Sequence, residues 1–256
     1  MRRIVLAAIA AALFFTGTIF AGTARASEGP AMPDLKWSFE GIFGTYDRTA
    51  LRRGFQVYTE VCSVCHTMNL LAYRHLGQAG FTEGEIKSIA AKVEVTDGPN
   101  AEGEMFDRPG KPTDTFRAPF PNKQAATAAN GGAFPPDLSL IVKARKSGAD
   151  YLHALMMGYT APPADMKMLD GMSYNAVFSG HQIKMPKPLN PDQVTYPDKT
   201  KATVDQMARD LVTFLAWASE PHMEDRKRMG IKVLLFLLIL TGMLYALKRK
   251  IWSDVH

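Results

Sequence analysis

The residues most able to do chemistry are two cysteines and a histidine in the string Cys62-Ser63-Val64-Cys65-His66. At this C-x-x-C-H spacing, two thiols add to the vinyl groups of a porphyrin and the adjacent imidazole binds the iron from one face. A redox disulfide and half of a zinc site are the alternatives. Neither is favoured, because a C-x-x-C pair rarely continues into His and because the chain has only 2 cysteines. The sequence therefore predicts one covalent haem c, attached at Cys62 and Cys65, with His66 as an axial iron ligand.

The opposite face of the iron decides whether such a site carries electrons or binds small molecules. The chain has 6 His and 14 Met, so composition alone does not choose the second ligand. Met185 is favoured because it lies in a proline-stiffened loop, 184–188, shortly before the last helix of the soluble part. His181 is the nearest rival and would give a lower potential. Three further methionines are also plausible as the second ligand: Met166, Met168 and Met172. A position on the iron without a protein ligand is compatible with the sequence as well.

Two amphipathic helices are predicted to frame this site. Asp47 is a suitable N-cap for a helix in which apolar residues recur at three- and four-residue spacings up to the first cysteine. Thr203 and Gln206 fit a capping box at the start of a second helix, which ends before Pro221. In c-type cytochromes the first and last helices cross closely, and Gly54 resembles the small residue at that crossing.

The remaining sequence predicts further helices joined by long loops. We expect a short helix within 80–93, turns over 95–121, a helix over 138–146 and another over 150–157. Residues 27–45 are rich in Gly and Pro with interspersed aromatic residues. This composition indicates an extended arm laid over the domain.

Both ends of the chain carry apolar segments of the kind that direct a protein to a membrane. Residues 1–26 combine a basic start, an apolar run and an A-x-A site, as a cleavable secretory signal does. Residues 229–247 contain one charge, Lys232, and would span about 28 Å as a helix, close to the thickness of a bilayer core. The remaining parts are then a haem domain at 27–228 and a tail at 248–256. Basic residues flank the span on both sides, so the export signal decides the orientation, with the haem domain in the bacterial periplasm and the tail in the cytoplasm.

The charge of the chain is distributed unevenly. The full sequence has a net charge of +5, yet residues 27–224 carry 20 basic and 23 acidic side chains. The predicted exported domain is mildly acidic, so nucleic-acid binding has no support. Segment 81–107 concentrates this charge, with 7 acidic side chains against 2 lysines. It is either a solvated face or a docking surface for a basic partner.

Several strings around and beyond the haem motif resemble the cytochrome c1 family. They lie at residues 52–58, 61–66, 72–76, 132–139 and 226–230 and read RRGFQVY, VCSVCH, AYRHL, GAFPPDLS and RKRMG. The resemblance covers nearly all of the predicted mature sequence. Some bacterial members have an additional cysteine pair that is absent here. The region 81–114 is variable in the family, so its contacts do not transfer to this chain.

The resemblance implies a fold, a function and partners. The expected fold is mainly α, a cytochrome c-like haem domain with long loop insertions and one C-terminal transmembrane helix. The family implies that Met185 is the second axial ligand, with Arg74 and Arg117 as candidates for pairing with the haem propionates. It also implies that the chain passes an electron from a Rieske iron–sulfur protein to a cytochrome c. This transfer would take place beside cytochrome b in a dimeric, quinol-oxidising bc1 complex. A haem subunit of a terminal oxidase and a haem enzyme with an open distal face are the alternatives.

Overall fold

The computed structural model describes residues 32–253, which form a mainly helical fold. The helices are α1 (Arg48–Glu60), α2 (Glu83–Ala91), α3 (Lys123–Ala129), α4 (Gly148–Met157), α5 (Val204–Ser219) and α6 (Met223–Ile251). Two 3-10 helices cover Cys62–Val64 and Tyr73–Ala79. Two short antiparallel hairpins pair β1 (Glu94–Asp97) with β2 (Phe106–Pro109), and β3 (Ser173–Tyr174) with β4 (Gln182–Ile183). The expected class, mainly α with long loops and one C-terminal apolar helix, is confirmed, and the predicted signal at 1–26 lies outside the described residues.

Helices α1 and α5 form the centre of the domain and meet at Gly54. As predicted, Asp47 caps α1, where its carboxylate accepts from two backbone amides of the first turn at 2.8 and 3.1 Å. A Cβ atom at Gly54 would lie 2.0 Å from the carbonyl oxygen of Asp210, on α5, and 2.7 Å from Cβ of Phe214. The two helices are therefore in backbone contact here, which confirms the close crossing expected at Gly54.

Beside the crossing, Arg53 joins α1 to α5 through an ion pair. Its guanidinium donates to both carboxylate oxygens of Asp210 at 2.8 and 3.0 Å, and to Asp198 at 2.8 Å. The Asp210 side chain is only 1% exposed. A buried carboxylate is costly unless it is paired, so this two-pronged contact favours one rotation of α5 against α1. Next to it, Phe214 packs against Tyr58 with ring centroids 5.6 Å apart.

The start of α5 follows the predicted cap only in part. The hydroxyl of Thr203 accepts from the amide of Gln206 at 3.1 Å. The Gln206 side chain does not complete a capping box, because it donates to Asp210 at 3.0 Å. Helix α4 packs against α5, where buried His153 is 2.8 Å from a carboxylate oxygen of Asp205. The first turn of α5 is thus held by its Thr203 cap and by the contact with α4.

The segment between the haem motif and α4 contains elements that the sequence does not predict, among them a hairpin and a short helix. The hairpin β1–β2 occupies much of the expected turn region at 95–121, and α3 follows it. Arg108, on β2, bonds Asp97 on β1 and donates to both carboxylate oxygens of Asp114 at 2.7 and 3.0 Å. These pairs join residues 11 and 6 positions apart, and single pairs at such spacings do not form a repeating pattern, so they leave no periodic signal. The helices expected within 80–93 and over 150–157 are confirmed by α2 and α4.

The helix expected over 138–146 is wrong, because these residues form successive turns. The carboxylate of Asp137 accepts from the amide of Ser139 at 2.8 Å, which starts a turn, and from the Thr67 side chain at 2.7 Å. The Ser139 hydroxyl accepts from the amide of Leu70 at 3.1 Å. The polar groups that would begin a helix are therefore used to bind the segment after the haem motif.

The described part of the arm lies over the domain, as predicted. Trp37 is buried, and its Nε1 donates to a carboxylate oxygen of Asp150 on α4 at 2.7 Å. The hydroxyl of Tyr46 donates to the carbonyl of Ala216 on α5 at 3.1 Å. The arm is thus attached to α4 by Trp37, and to α5 by Tyr46, which directly follows it.

Helix α6 is the one helix within 32–253 that is long and apolar enough to cross a membrane. Its 29 residues extend over about 44 Å and include the predicted span at 229–247. Acidic Glu224 and Asp225 lie in its first turn and three basic residues lie in its last, which suits the helix dipole. Within the predicted span no apolar side chain is buried, as in a helix surrounded by lipid.

Candidate haem site

The two cysteines follow directly on the end of α1. The chain continues into a 3-10 turn over Cys62–Val64, in which the amides of Cys65 and His66 both donate to the carbonyl of Cys62 at 3.1 and 2.9 Å. Both thiols are free, and both residues are partly buried. Burial, with a smaller contribution from Cys65, raises the pKa of the Cys62 thiol to about 12. The turn therefore presents two unpaired thiols next to the imidazole.

His66 is oriented by a backbone carbonyl from a distant loop. Its Nδ1 lies 2.8 Å from the carbonyl oxygen of Pro136. A carbonyl only accepts hydrogen bonds, so Nδ1 carries the proton and Nε2 keeps a free lone pair. A histidine that ligates a metal through Nε2 is held in this way. Burial lowers the pKa of His66, which favours the neutral form that binds a metal.

Asp137 clamps its loop onto the segment that follows the haem motif. Its carboxylate accepts from the hydroxyl of Thr67 at 2.7 Å and from the amide of Asn69 at 2.8 Å. Partial burial opposes ionisation, but hydrogen bonds from Ser139, Asn69 and Thr67 lower the pKa of Asp137 overall. The carbonyl that orients the imidazole therefore belongs to a loop with a defined position. The role of Asp137 was not predicted from the sequence.

Met185, the favoured second ligand, lies in an irregular loop just after β4. The phenol of Tyr159 donates to the backbone carbonyl of Met185 at 3.1 Å. The side chain of the preceding Lys184 packs closely on Gly131, since a Cβ there would lie 3.0 Å from Lys184 Cε. Gly131 belongs to the same loop as Pro136. The structure thus brings the Met185 segment to the loop that orients the imidazole. Tyr159 was not predicted from the sequence.

His181, the rival ligand, is exposed in the turn between β3 and β4. Its φ is +58°, its Nδ1 donates to the carbonyl of Asn175 at 3.3 Å, and its ring stacks on Tyr174 with centroids 5.9 Å apart. These contacts all lie within its own hairpin. Three further methionines lie on the connection from α4 to β3 and are partly buried: Met166, Met168 and Met172.

Arg74 and Arg117, the candidates for propionate pairing, come from two segments that run side by side. The amide of Arg74 donates to the carbonyl of Pro112 at 2.7 Å. The amide of Arg117 donates to the hydroxyl of Tyr73 at 3.4 Å. Both arginines are exposed. Their pairing with a propionate stays a prediction.

The surroundings of the motif fit a haem. Two thiols and an imidazole are donors suited to covalent attachment and to iron ligation, and the Met185 segment lies against the loop that orients the imidazole. The Tyr58 hydroxyl, one turn before Cys62, is buried and has no hydrogen-bond partner among the described residues. Such an orphaned group indicates a missing polar partner. Leu70 and Phe134, at the two ends of the clamped contact, expose apolar surface that a porphyrin ring would cover.

Comparison with known proteins agrees with this site. The model of the cytochrome C1 family matches residues 37–255. The chain is 48% identical to the cytochrome c1 of Rhodospirillum rubrum, over 95% of this chain and 97% of the relative. It is 50% identical to the mitochondrial heme protein cytochrome c1 1 of Arabidopsis thaliana, over 90% of this chain and 75% of the relative. It is 46% identical to the cytochrome b/c1 of Bradyrhizobium diazoefficiens, over 98% of this chain and 40% of that longer protein. The chain therefore belongs to the cytochrome c1 family.

Proposed function

We propose that this chain is a membrane-anchored c-type cytochrome that carries one electron at a time. The observation that carries the proposal is the state of His66, whose Nδ1 is bonded to a backbone carbonyl while Nε2 is free, next to two unpaired thiols. In this proposal one haem c is attached at Cys62 and Cys65, and His66 and Met185 ligate its iron. The bound haem supplies the ferric–ferrous couple.

The residues of the chain would hold and shield this group. The Pro136 carbonyl keeps the His66 ring in one tautomer, and the Tyr159 hydroxyl anchors the backbone of Met185. With His66 and Met185 both bound to the iron, a haem held here would have no free position for a substrate, so the chain would perform no bond chemistry by itself. A thioether ligand in a partly buried site favours the less charged ferrous state and raises the potential.

Membership of the family supports the choice of electron partners. We propose a Rieske iron–sulfur protein as the donor and a cytochrome c as the acceptor, within a dimeric, quinol-oxidising bc1 complex. The Bradyrhizobium relative supports cytochrome b as a neighbour, because a protein named cytochrome b/c1 contains a match to this chain in 40% of its length.

The proposed placement of the chain is in the inner membrane of a bacterium. After removal of 1–26, residues 27–228 would lie in the periplasm, 229–247 would cross the bilayer and 248–256 would lie in the cytoplasm. The length and exposed apolar surface of α6 support the span. The basic residues at both ends of the span suit the two membrane interfaces.

Met185→Leu tests the proposed ligand set. In the ferrous, haem-loaded full chain we expect carbon monoxide to bind the variant but not the wild type, and the potential to fall, because the thioether is removed. Met172→Leu is the matched control and should change neither property. Carbon monoxide binding by the wild type, or an unaltered spectrum and potential in Met185→Leu, would contradict the proposal. Co-purification with a copper-containing oxidase subunit instead of cytochrome b and a Rieske protein would favour the terminal oxidase.

A further inference from the structure

A hydrophobic tip, formed by Gly41, Ile42 and Phe43, projects from the arm. Ile42 is 69% exposed and Phe43 is 84% exposed. Phe43 is the most exposed large hydrophobic residue within 32–253, more exposed than any in the apolar part of α6. The neighbouring aromatic residues of the arm pack against the domain. Within the arm, exposed aromatic and aliphatic surface is therefore concentrated at the tip, and such a patch indicates contact with a partner.

The loop that carries the tip is closed and tightly packed at its base. The amide of Thr45 donates to the carbonyl of Ser38 at 2.9 Å, which joins the two sides of the neck. Gly44 leaves no room for a side chain, because a Cβ there would lie 1.9 Å from the carbonyl oxygen of Glu40. The ring of Phe39 packs between those of Trp37 and Tyr46, with centroids 5.6 and 5.4 Å away. The loop is thus built to hold its tip outward rather than to fold it back.

Lys227 attaches the neck of this loop to the start of α6. Its Nζ donates to the carbonyls of Phe39 and Gly44 at 2.8 and 2.9 Å. Lys227 is two residues before Met229, about 3 Å along the helix axis. The polar layer on each side of a bilayer core is about 5–8 Å thick. The neck is therefore joined to α6 at the level where the predicted span enters the headgroups.

We propose that the tip inserts into the headgroup layer of the leaflet that faces the haem domain, as a second and shallow membrane contact beside α6. A lipid surface suits the tip better than a protein, because specific protein interfaces bury about 800 Å² on each partner and two side chains on a narrow loop offer far less. Arg226 and Arg228, on either side of Lys227, have exposed side chains that pair with Glu220 and Asp225. Each guanidinium has further N–H donors that suit anionic lipid headgroups. Two separate contacts with the membrane would fix the height and the tilt of the haem domain.

The proposed insertion of the tip rests on the proposed span, so the experiment measures the depth of both the tip and the span in the bilayer. Single cysteines replace Phe43, Leu238 on α6, and Leu169, an equally apolar residue that is 60% exposed on the α4–β3 connection. In the haem-loaded chain the native cysteines are consumed by attachment, so each introduced thiol carries the only spin label. The full chain is placed in nanodiscs of phosphatidylethanolamine and phosphatidylglycerol. Collision of the label with oxygen, which enters the bilayer, is compared with collision with a water-soluble nickel chelate.

For the label at Phe43→Cys we expect collisions with oxygen to dominate, and collisions with the nickel chelate to be several-fold less frequent than at Leu169→Cys. The label at Leu238→Cys should lie deeper still in the bilayer. Nickel access at Phe43→Cys equal to that at Leu169→Cys would overturn the inference while Leu238→Cys still reports the bilayer core. Shielding of Phe43→Cys from both reagents would overturn it as well, because a protein surface would then cover the tip. Nickel access at Leu238→Cys would overturn both the span and the inference.

Discussion

Replacing Gly54 with alanine should separate the two central helices. The new Cβ would lie 2.0 Å from the carbonyl oxygen of Asp210 and 2.6 Å from its carbonyl carbon, so α1 and α5 must move apart by about 1.4 Å to restore an ordinary contact of 3.4 Å. Overpacking of this kind costs about 1–3 kcal/mol. The movement also stretches the bonds from Arg53 to Asp210, which are 2.8 and 3.0 Å long and hold a carboxylate that is 1% exposed. Weakening these bonds adds about 1 kcal/mol to the cost.

Alanine gains about 1 kcal/mol over glycine in a helix, which offsets part of this cost. We expect a net loss of about 2 kcal/mol, which lowers the melting temperature by roughly 4–8 °C in a domain of this size. The assay is thermal unfolding of the haem-loaded full chain in detergent, followed by circular dichroism. Gly84→Ala is the matched control, because Gly84 lies in α2 with nothing within 4 Å of its Cβ position, so this variant should be as stable as wild type or more so. If Gly54→Ala melts at the same temperature as Gly84→Ala, the helices are not held in backbone contact and the reasoning is refuted.

Two further predictions concern charge. Hydrogen bonding to the guanidinium of Arg108 lowers the pKa of Asp114 from 3.8 to about 2. Because this pKa is lower in the folded state, the pair stabilises the fold above about pH 4, and its contribution is lost as the pH falls towards 2. The melting temperature of Asp114→Asn should therefore lie below that of wild type at pH 7 and converge with it between pH 4 and 2; a constant gap would contradict this. Glu102 and Glu104 are exposed in the β1–β2 turn, so replacing both with lysine should weaken the salt dependence of electron transfer to a basic cytochrome c. An unchanged salt dependence would mean that the acidic segment is a solvated face.

The elements predicted from the sequence are those with a local cause. Asp47 and Thr203 cap their helices because a side-chain oxygen can reach an amide two or three residues away, and both caps are present. The apolar run in α6 likewise needs no other part of the chain to be recognised. The helix expected over 138–146 failed because Asp137 and Ser139 bond to residues about 70 positions away. A prediction from local sequence patterns does not include such distant hydrogen bonds, which compete with the helix.

For the candidate site, the residue types could be predicted from the sequence, but their arrangement could not. The C-x-x-C-H string by itself predicts which atoms would attach and ligate a haem, because that spacing is set by chemistry within five residues. Only the tertiary structure showed that the Pro136 carbonyl fixes the tautomer of His66 and that Tyr159 holds the backbone of Met185. Both bonds join segments that are far apart in the chain. Their geometry depends on how the loops pack, which is a property of the whole fold rather than of any local pattern.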